Sequence, residues 1–148
     1  MFTSAKEKDF LYKQAMFDYW NNTIPREYVE RGRMFQWHIC NNKMPNFSVQ
    51  YINPKVGYGL FAEEDLKPNT FCGEYVGLVR KNDRHGEWNH YLFSHPQKDS
   101  IQRNYVIDAT SGNWIRFVNH SYCPNSFPYY AFVGGFYHVI LITISEIV

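Results

Sequence analysis

Two apolar runs near the end of the chain, Tyr129 to Val133 and Phe136 to Ile144, meet at Gly134-Gly135. Strand-like runs joined by Gly-Gly predict a tight hairpin, because primed turns need positive φ. The same texture extends upstream to about Asn46. Ser48 to Asn53 alternates around Val49 and Tyr51, and Leu60-Phe61-Ala62 and Thr70 to Val79 follow, with a polar turn at Lys67-Pro68-Asn69 between them. Lys81 to His90 reads as a charged loop, and Tyr91-Leu92-Phe93 and Tyr105 to Ile107 as short apolar strands. Short strands with long irregular connections predict a mainly β, non-repetitive fold.

The first part of the chain has a different period. Ser4-Ala5-Lys6-Glu7 fits the S-x-x-E capping box, which satisfies free amides at a helix start. Leu11, Ala15 and Tyr19 recur at helical spacing, as do Met16 and Trp20, while Phe10 and Phe17 lie two turns apart. So broad an aromatic face is expected to be covered, by the main domain or by a partner. Asn21-Asn22 ends the pattern; Pro25 suits the first turn of a second short helix, which Gly32 is expected to end. The organisation predicted is a helical flank over residues 1–47 and a β domain over 48–148, α+β overall.

At 148 residues, 45% of them hydrophobic and 19% aromatic, the chain has material for one well-filled core. Its net charge of +1 offers no clustered basic surface for nucleic acid and no polybasic patch for a membrane. Cys40, Cys72 and Cys123 are odd in number and lack CxxC spacing, which suits a reducing compartment. No apolar run reaches the ~18 residues of a membrane span, and no signal peptide is seen. A soluble, intracellular protein is expected.

Three clusters carry chemistry. In Gly57-Tyr58-Gly59-Leu60-Phe61-Ala62, paired glycines let backbone approach a ligand, although taken alone the motif favours a plain tight turn. In Gly73-Glu74-Tyr75-Val76-Gly77, a tyrosine sits between glycines on a β-like run. In Arg116-Phe117-Val118-Asn119-His120-Ser121, continuing to Pro124-Asn125, directional polar groups follow an apolar strand. Asn119-His120-Ser121, Asn21-Asn22-Thr23 and Asn46-Phe47-Ser48 are formal glycosylation sequons without a secretory signal to support them. His120-x-x-Cys123 lacks the second pair that a zinc site needs. A Ser/His nucleophile would lack its elbow and its carboxylate.

In this order, with Ile107-Asp108-Ala109 between the second and third, these motifs resemble the SET domain of protein-lysine methyltransferases from about Ser48 to Val148. The resemblance implies a β fold of small sheets in which RFxNHS joins a knot-like core. It also implies S-adenosylmethionine as cofactor, with Gly57, Tyr58, Gly59, Asn119 and His120 lining its pocket and Arg116 and Tyr91 contributing. Tyr75 is implied as the catalytic tyrosine of the lysine channel, with Tyr129 or Tyr130 as a further wall. The implied partner is a protein presenting a lysine, such as a histone tail, with nuclear action by analogy and no metal in the reaction. The residue types suit that chemistry: an apolar channel beside a cationic sulfonium lowers the pKa of the incoming amine.

Two departures from the family pattern stand out. The G-E-E-[L/I]-x-x-x-Y-like segment expected after the last core strand is only reached at Ile142 to Val148, so the chain looks truncated and is expected to be inactive alone. The run Val139 to Ile144 would then lack a strand partner and invite self-association. Ser126 stands where many histone-directed members have a zinc-binding cysteine, so a zinc-dependent architecture is disfavoured. A non-catalytic module binding cofactor or a protein tail is the alternative implied.

Overall fold

The computed structural model describes residues 1–82 and 91–148, so most of the expected charged loop from Lys81 to His90 lies outside the described residues. Two helices, α1 (Ala5–Trp20) and α2 (Arg26–Cys40), precede the strands β1 (Phe47–Asn53), β2 (Gly57–Ala62), β3 (Phe71–Glu74) and β4 (Leu78–Lys81). Then come β5 (Leu92–Lys98), β6 (Asn104–Asp108), a 3-10 turn at Trp114–Phe117, β7 (Ser126–Val133) and β8 (Phe136–Thr143). They form three small antiparallel sheets, in the orders β1-β2, β3-β8-β7 and β4-β6-β5. The fold is the mainly β, α+β arrangement of small sheets that the sequence predicts.

The Gly-Gly hairpin forms, with Gly134 and Gly135 at φ +62° and +86° and Val133 opposite Phe136. Its second strand, β8, is central rather than open. Ile140 and Ile142 face α2, where they meet Phe35, Ile39, Phe71 and Ala131. On the other face Val139 packs with Leu11, Val79, Tyr105 and Ile107, and Leu141 with Leu66, Cys72 and Ile115. A strand buried on both faces loses period-2 alternation, which accounts for the unbroken Val-Ile-Leu-Ile run. The expectation that Val139 to Ile144 lacks a strand partner is therefore corrected. β3 pairs with β8 on one side, through Phe71↔Ile142 and Glu74↔Ile140, and β7 pairs with it on the other.

Helix α1 starts at the expected cap, where Ser4 accepts from the Glu7 amide at 3.1 Å. The Glu7 carboxylate does not close the box; it accepts from the Tyr105 hydroxyl and fastens the helix to β6. Leu11 and Ala15 are fully buried, but Phe17 and Trp20 stay 69% and 77% exposed. The aromatic face is therefore covered along the Leu11–Ala15 stripe, with Tyr12 against Phe136 and Tyr19 against Phe132 at its margins, while Phe17 and Trp20 face outward.

Helix α2 runs through Gly32 instead of ending there. A Cβ at Gly32 would lie 2.0 Å from the Phe132 carbonyl oxygen, so this glycine lets the helix lie directly on β7. Pro25 is the N-cap rather than a first-turn residue, and the helix ends at Asn41, with Asn42 at φ +48°.

Candidate cofactor and substrate site

The β1-β2 hairpin turns on Asn53, whose Oδ1 accepts from the Lys55 and Val56 amides at 3.0 and 2.8 Å. Gly57 follows at φ +77°, a conformation that costs a side-chain-bearing residue energy. At Gly59 a Cβ would meet Ile52 Cδ1 at 2.6 Å, so the absent side chain makes room for Ile52, with Asn119 Nδ2 at contact distance, 3.4 Å. Asn119 Nδ2 donates to the Tyr58 carbonyl at 3.0 Å and ties the segment after the 3-10 turn to β2.

Aromatic contacts close the same corner. The Phe117 ring lies 6.2 Å from that of Tyr58 and 6.5 Å from that of Tyr91. The Arg116 guanidinium sits 4.7 Å from the centre of the Phe117 ring and 5.9 Å from that of Tyr91, and its Nη1 donates to the Gly112 carbonyl at 2.7 Å. The structure thus brings Tyr58, Gly59, Tyr91, Arg116 and Asn119 together, with Gly57 at the start of the same strand. His120 is exposed, its ring edge-on to Tyr122 at 4.9 Å, and its described contact does not reach this corner.

Tyr75 begins a second cluster. Its amide donates to the Val139 carbonyl at 2.7 Å, and its ring lies 5.5 Å from Phe93, which is 6.1 Å from Tyr130. Burial, then the negative charge of Asp108 and that of an ionised Tyr91, push the Tyr75 hydroxyl up to about 12. It stays protonated and neutral around physiological pH. Tyr130 donates to the Ser94 carbonyl at 2.6 Å, and burial also raises its pKa. Successive residues of a strand face opposite ways, so Tyr129 lies on the α2 side of the sheet. There Arg31 covers its ring at 4.6 Å. Of the two tyrosines predicted as walls, Tyr130 joins the Tyr75 cluster and Tyr129 does not.

The expected strand from Thr70 to Val79 divides at Tyr75-Val76-Gly77, because this run lies along the loop leading into the 3-10 turn. A Cβ at Gly77 would stand 2.3 Å from the Asp108 carbonyl oxygen, and one at Gly112 would stand 2.1 Å from that of Val76. A Cβ at Gly73 would meet Ile115 side-chain atoms at 2.8 Å. Between these close approaches Asn113 Nδ2 donates to the Glu74 carbonyl at 2.8 Å. Sequence reasoning missed Asn113. An Asx residue after glycine at the entry to a helical turn was the available signal. Asp108, the last residue of β6, accepts from the Thr110 hydroxyl at 2.6 Å and from Arg80 Nε at 3.1 Å. Burial would raise its pKa, but the bonds from Thr110 and Arg80 outweigh that and hold the carboxyl below its usual range.

Residues 57–148 match the family model described as SET domain. The chain is 41% identical over 84 residues to an Emericella nidulans protein named histone-lysine N-methyltransferase, H3 lysine-36 specific, covering 49% of this chain and 8% of that one. It is 36% identical over 105 residues to histone-lysine N-methyltransferase ASHH3 of Arabidopsis thaliana, covering 59% of this chain and 27% of the relative. With ASHH4 of the same plant it shares 40% over 77 residues, 49% of this chain and 22% of the relative. The chain thus spans less than a third of the length of each of these relatives.

Proposed function

Because this chain belongs to the SET domain family, we propose that it transfers a methyl group from S-adenosylmethionine to a lysine side chain of a protein, a histone tail being the substrate class. Action on such a tail would make it a nuclear protein. The observation that carries this reading is the Asn119–Tyr58 bond, which closes the Gly57-Tyr58-Gly59 strand against the Arg116-to-Asn119 segment, whose Phe117 ring meets Tyr91.

The residues present fit the cofactor. The edge of β2 that faces away from β1 offers backbone groups around Tyr58, and Asn119 adds an amide with both donor and acceptor. These suit a carboxylate and an ammonium, while the rings of Tyr58 and Phe117 suit a flat adenine. A Cβ at Gly57 would meet nothing within 4 Å, so the strand start is open to a ligand. S-adenosylmethionine, when bound, supplies a methyl group on a positively charged sulfur. Everything else falls to the chain. Tyr58, Gly59 and Asn119 hold the cofactor, with Gly57 giving the strand its turn, and Arg116 braces Phe117 and Tyr91. His120, next to Asn119, lies at the rim.

On the substrate side, Tyr75, Phe93 and Tyr130 offer an apolar, aromatic wall that keeps water from the amine. A free lysine has a pKa near ~10.4, and exclusion of water disfavours its charged form, so the amine approaches neutral. The neutral Tyr75 hydroxyl can then orient that amine as a hydrogen-bond partner without competing for its proton.

Asn119→Ala is expected to weaken S-adenosylmethionine binding about tenfold, since a polar contact that the bound cofactor would shield from water costs about 1–3 kcal/mol when one partner is lost. Titration calorimetry checks this, and unchanged affinity in a folded variant would remove Asn119 from the site. Tyr75→Phe is expected to lower turnover about tenfold, or to change the number of methyl groups added, with cofactor affinity within about twofold of wild type. Labelled-methyl transfer to histones, with mass spectrometry of the product, reads both. Cofactor binding without transfer to any histone would favour a non-catalytic module instead.

A further inference from the structure

We propose that Asn113 is a positioning residue that holds the cofactor half and the lysine half of the site in register, a role that rests on the methyl-transfer reading of that site. One amide side chain makes both attachments. Its Nδ2 donates to the Glu74 carbonyl at 2.8 Å, immediately before Tyr75. Its Oδ1 accepts from the Ile115 amide at 3.2 Å and opens the 3-10 turn that carries Arg116 and Phe117.

The β4–β6 ladder aligns the two chains only from Leu78↔Asp108 onward, and the close approaches between Gly73 and Gly77 set how near the segments come. Gly77 lies against the Asp108 carbonyl, Gly112 against the Val76 carbonyl and Gly73 against Ile115, and all three are contacts of shape without direction. Strand β3 has β8 along one side, down to the Tyr75 amide on Val139. On its other side the Glu74 carbonyl receives Asn113, and a hydrogen bond fixes direction as well as distance. Asparagine is the residue type that serves both ends, having a donor and an acceptor on a short stem. Aspartate and serine retain an oxygen that can cap the turn, but neither places an amide donor on Glu74. Displacing a reacting group by about 1 Å can cost on the order of 10²-fold in rate, so loss of this single bond should be read in turnover.

The test compares Asn113→Ser, Asn113→Asp and Asn113→Ala in the full chain. It uses backbone amide NMR shifts, calorimetric titration with S-adenosylmethionine, thermal melting and methyl transfer to histones. In the serine and aspartate variants the Tyr75 and Val76 amides should shift while Ile115 stays. Turnover should fall about tenfold or more, with cofactor affinity within about threefold of wild type. The alanine variant should shift Ile115 as well and weaken cofactor binding about tenfold. Serine guards against the chance that a carboxylate facing a carbonyl unfolds the protein. Folded Asn113→Ser with unshifted Tyr75 and Val76 amides overturns the proposal. So does a lower melting temperature with turnover per folded molecule unchanged. If the wild-type chain by itself transfers no methyl group, the non-catalytic reading of the site gains ground separately, and the pattern of shifts alone decides whether Asn113 couples the two halves.

Discussion

Gly32→Ala is expected to cost about 3 kcal/mol of stability, although alanine is the better helix former by about 1 kcal/mol. The two effects have opposite signs, which makes the measurement informative. At an ordinary interior helix position the substitution stabilises. Here the added methyl would stand 2.0 Å from the Phe132 carbonyl oxygen, 2.9 Å from its carbon and 3.1 Å from Val133 Cγ2. Relief requires α2 to lift from the sheet, because β7 is paired with β8 from Ser126 to Val133 and cannot retreat alone. Lifting α2 would also uncover Phe35 and Ile39. Urea denaturation of the two proteins gives the answer. An alanine variant as stable as wild type would mean that the helix does not lie on Phe132.

The second large effect is a loss of stability in mild acid, centred on His95. This residue is 7% exposed, its Nδ1 accepts from the Gln97 amide at 3.1 Å, and its ring packs edge-on to Tyr105 and Tyr137. Burial, and then the charge of His138, push its pKa from 6.5 down to about 4. His138 is itself paired with Glu74, Nδ1 to Oε1 at 2.5 Å. Because the folded-state pKa lies below the unfolded one, the unfolded chain takes up the proton first as the pH falls. The stability is fully present above pH 6.5 and is lost progressively down to about pH 4. The slope is about 1.4 kcal/mol per pH unit, for a total of about 3 kcal/mol. His95→Asn keeps an acceptor that does not titrate and should flatten the curve in that window. Denaturant curves at a series of pH values compare the two. Equal slopes in both proteins would mean that His95 takes up its proton without unfolding the chain.

What the sequence made legible was what depends on neighbours along the chain. Gly134-Gly135 demanded a tight hairpin, and Ser4 with Glu7 demanded a helix start. What stayed hidden depends on elements far apart. Gly32 has the same composition signal whether it ends a helix or admits a strand, and only the Phe132 carbonyl distinguishes the two. Glu7 looked like a capping partner because the distant Tyr105 hydroxyl that takes it cannot be seen from seven residues. Tyr129 and Tyr130 differ by one step, and strand alternation separates them only once the face carrying α2 is known. The motifs that carry the family resemblance were readable because they lie within short stretches. Asn113 was not, because its meaning lies in the carbonyl it meets.

The central place of β8 also sets the order in which the protein can be made. Its two neighbours, β3 and β7, leave the ribosome earlier, as do both helices and every strand of the other two sheets. Until Phe136–Thr143 is synthesised, β3 and β7 have no strand between them, and neither Ile140 nor Val139 is there to fill the two cores they divide. Leu66, too, waits for Ile147, with which it exchanges two backbone hydrogen bonds at 2.8 and 2.9 Å. The pairing of β3 with β8 and the bridge of Leu66 to Ile147 thus join late residues to much earlier ones, the kind of contact that forms slowly, whereas β7 meets β8 as a local hairpin. Two sheets, β1-β2 and β4-β6-β5, can pair before β8 emerges, but the cores packed on β3 and β7 close only when it does.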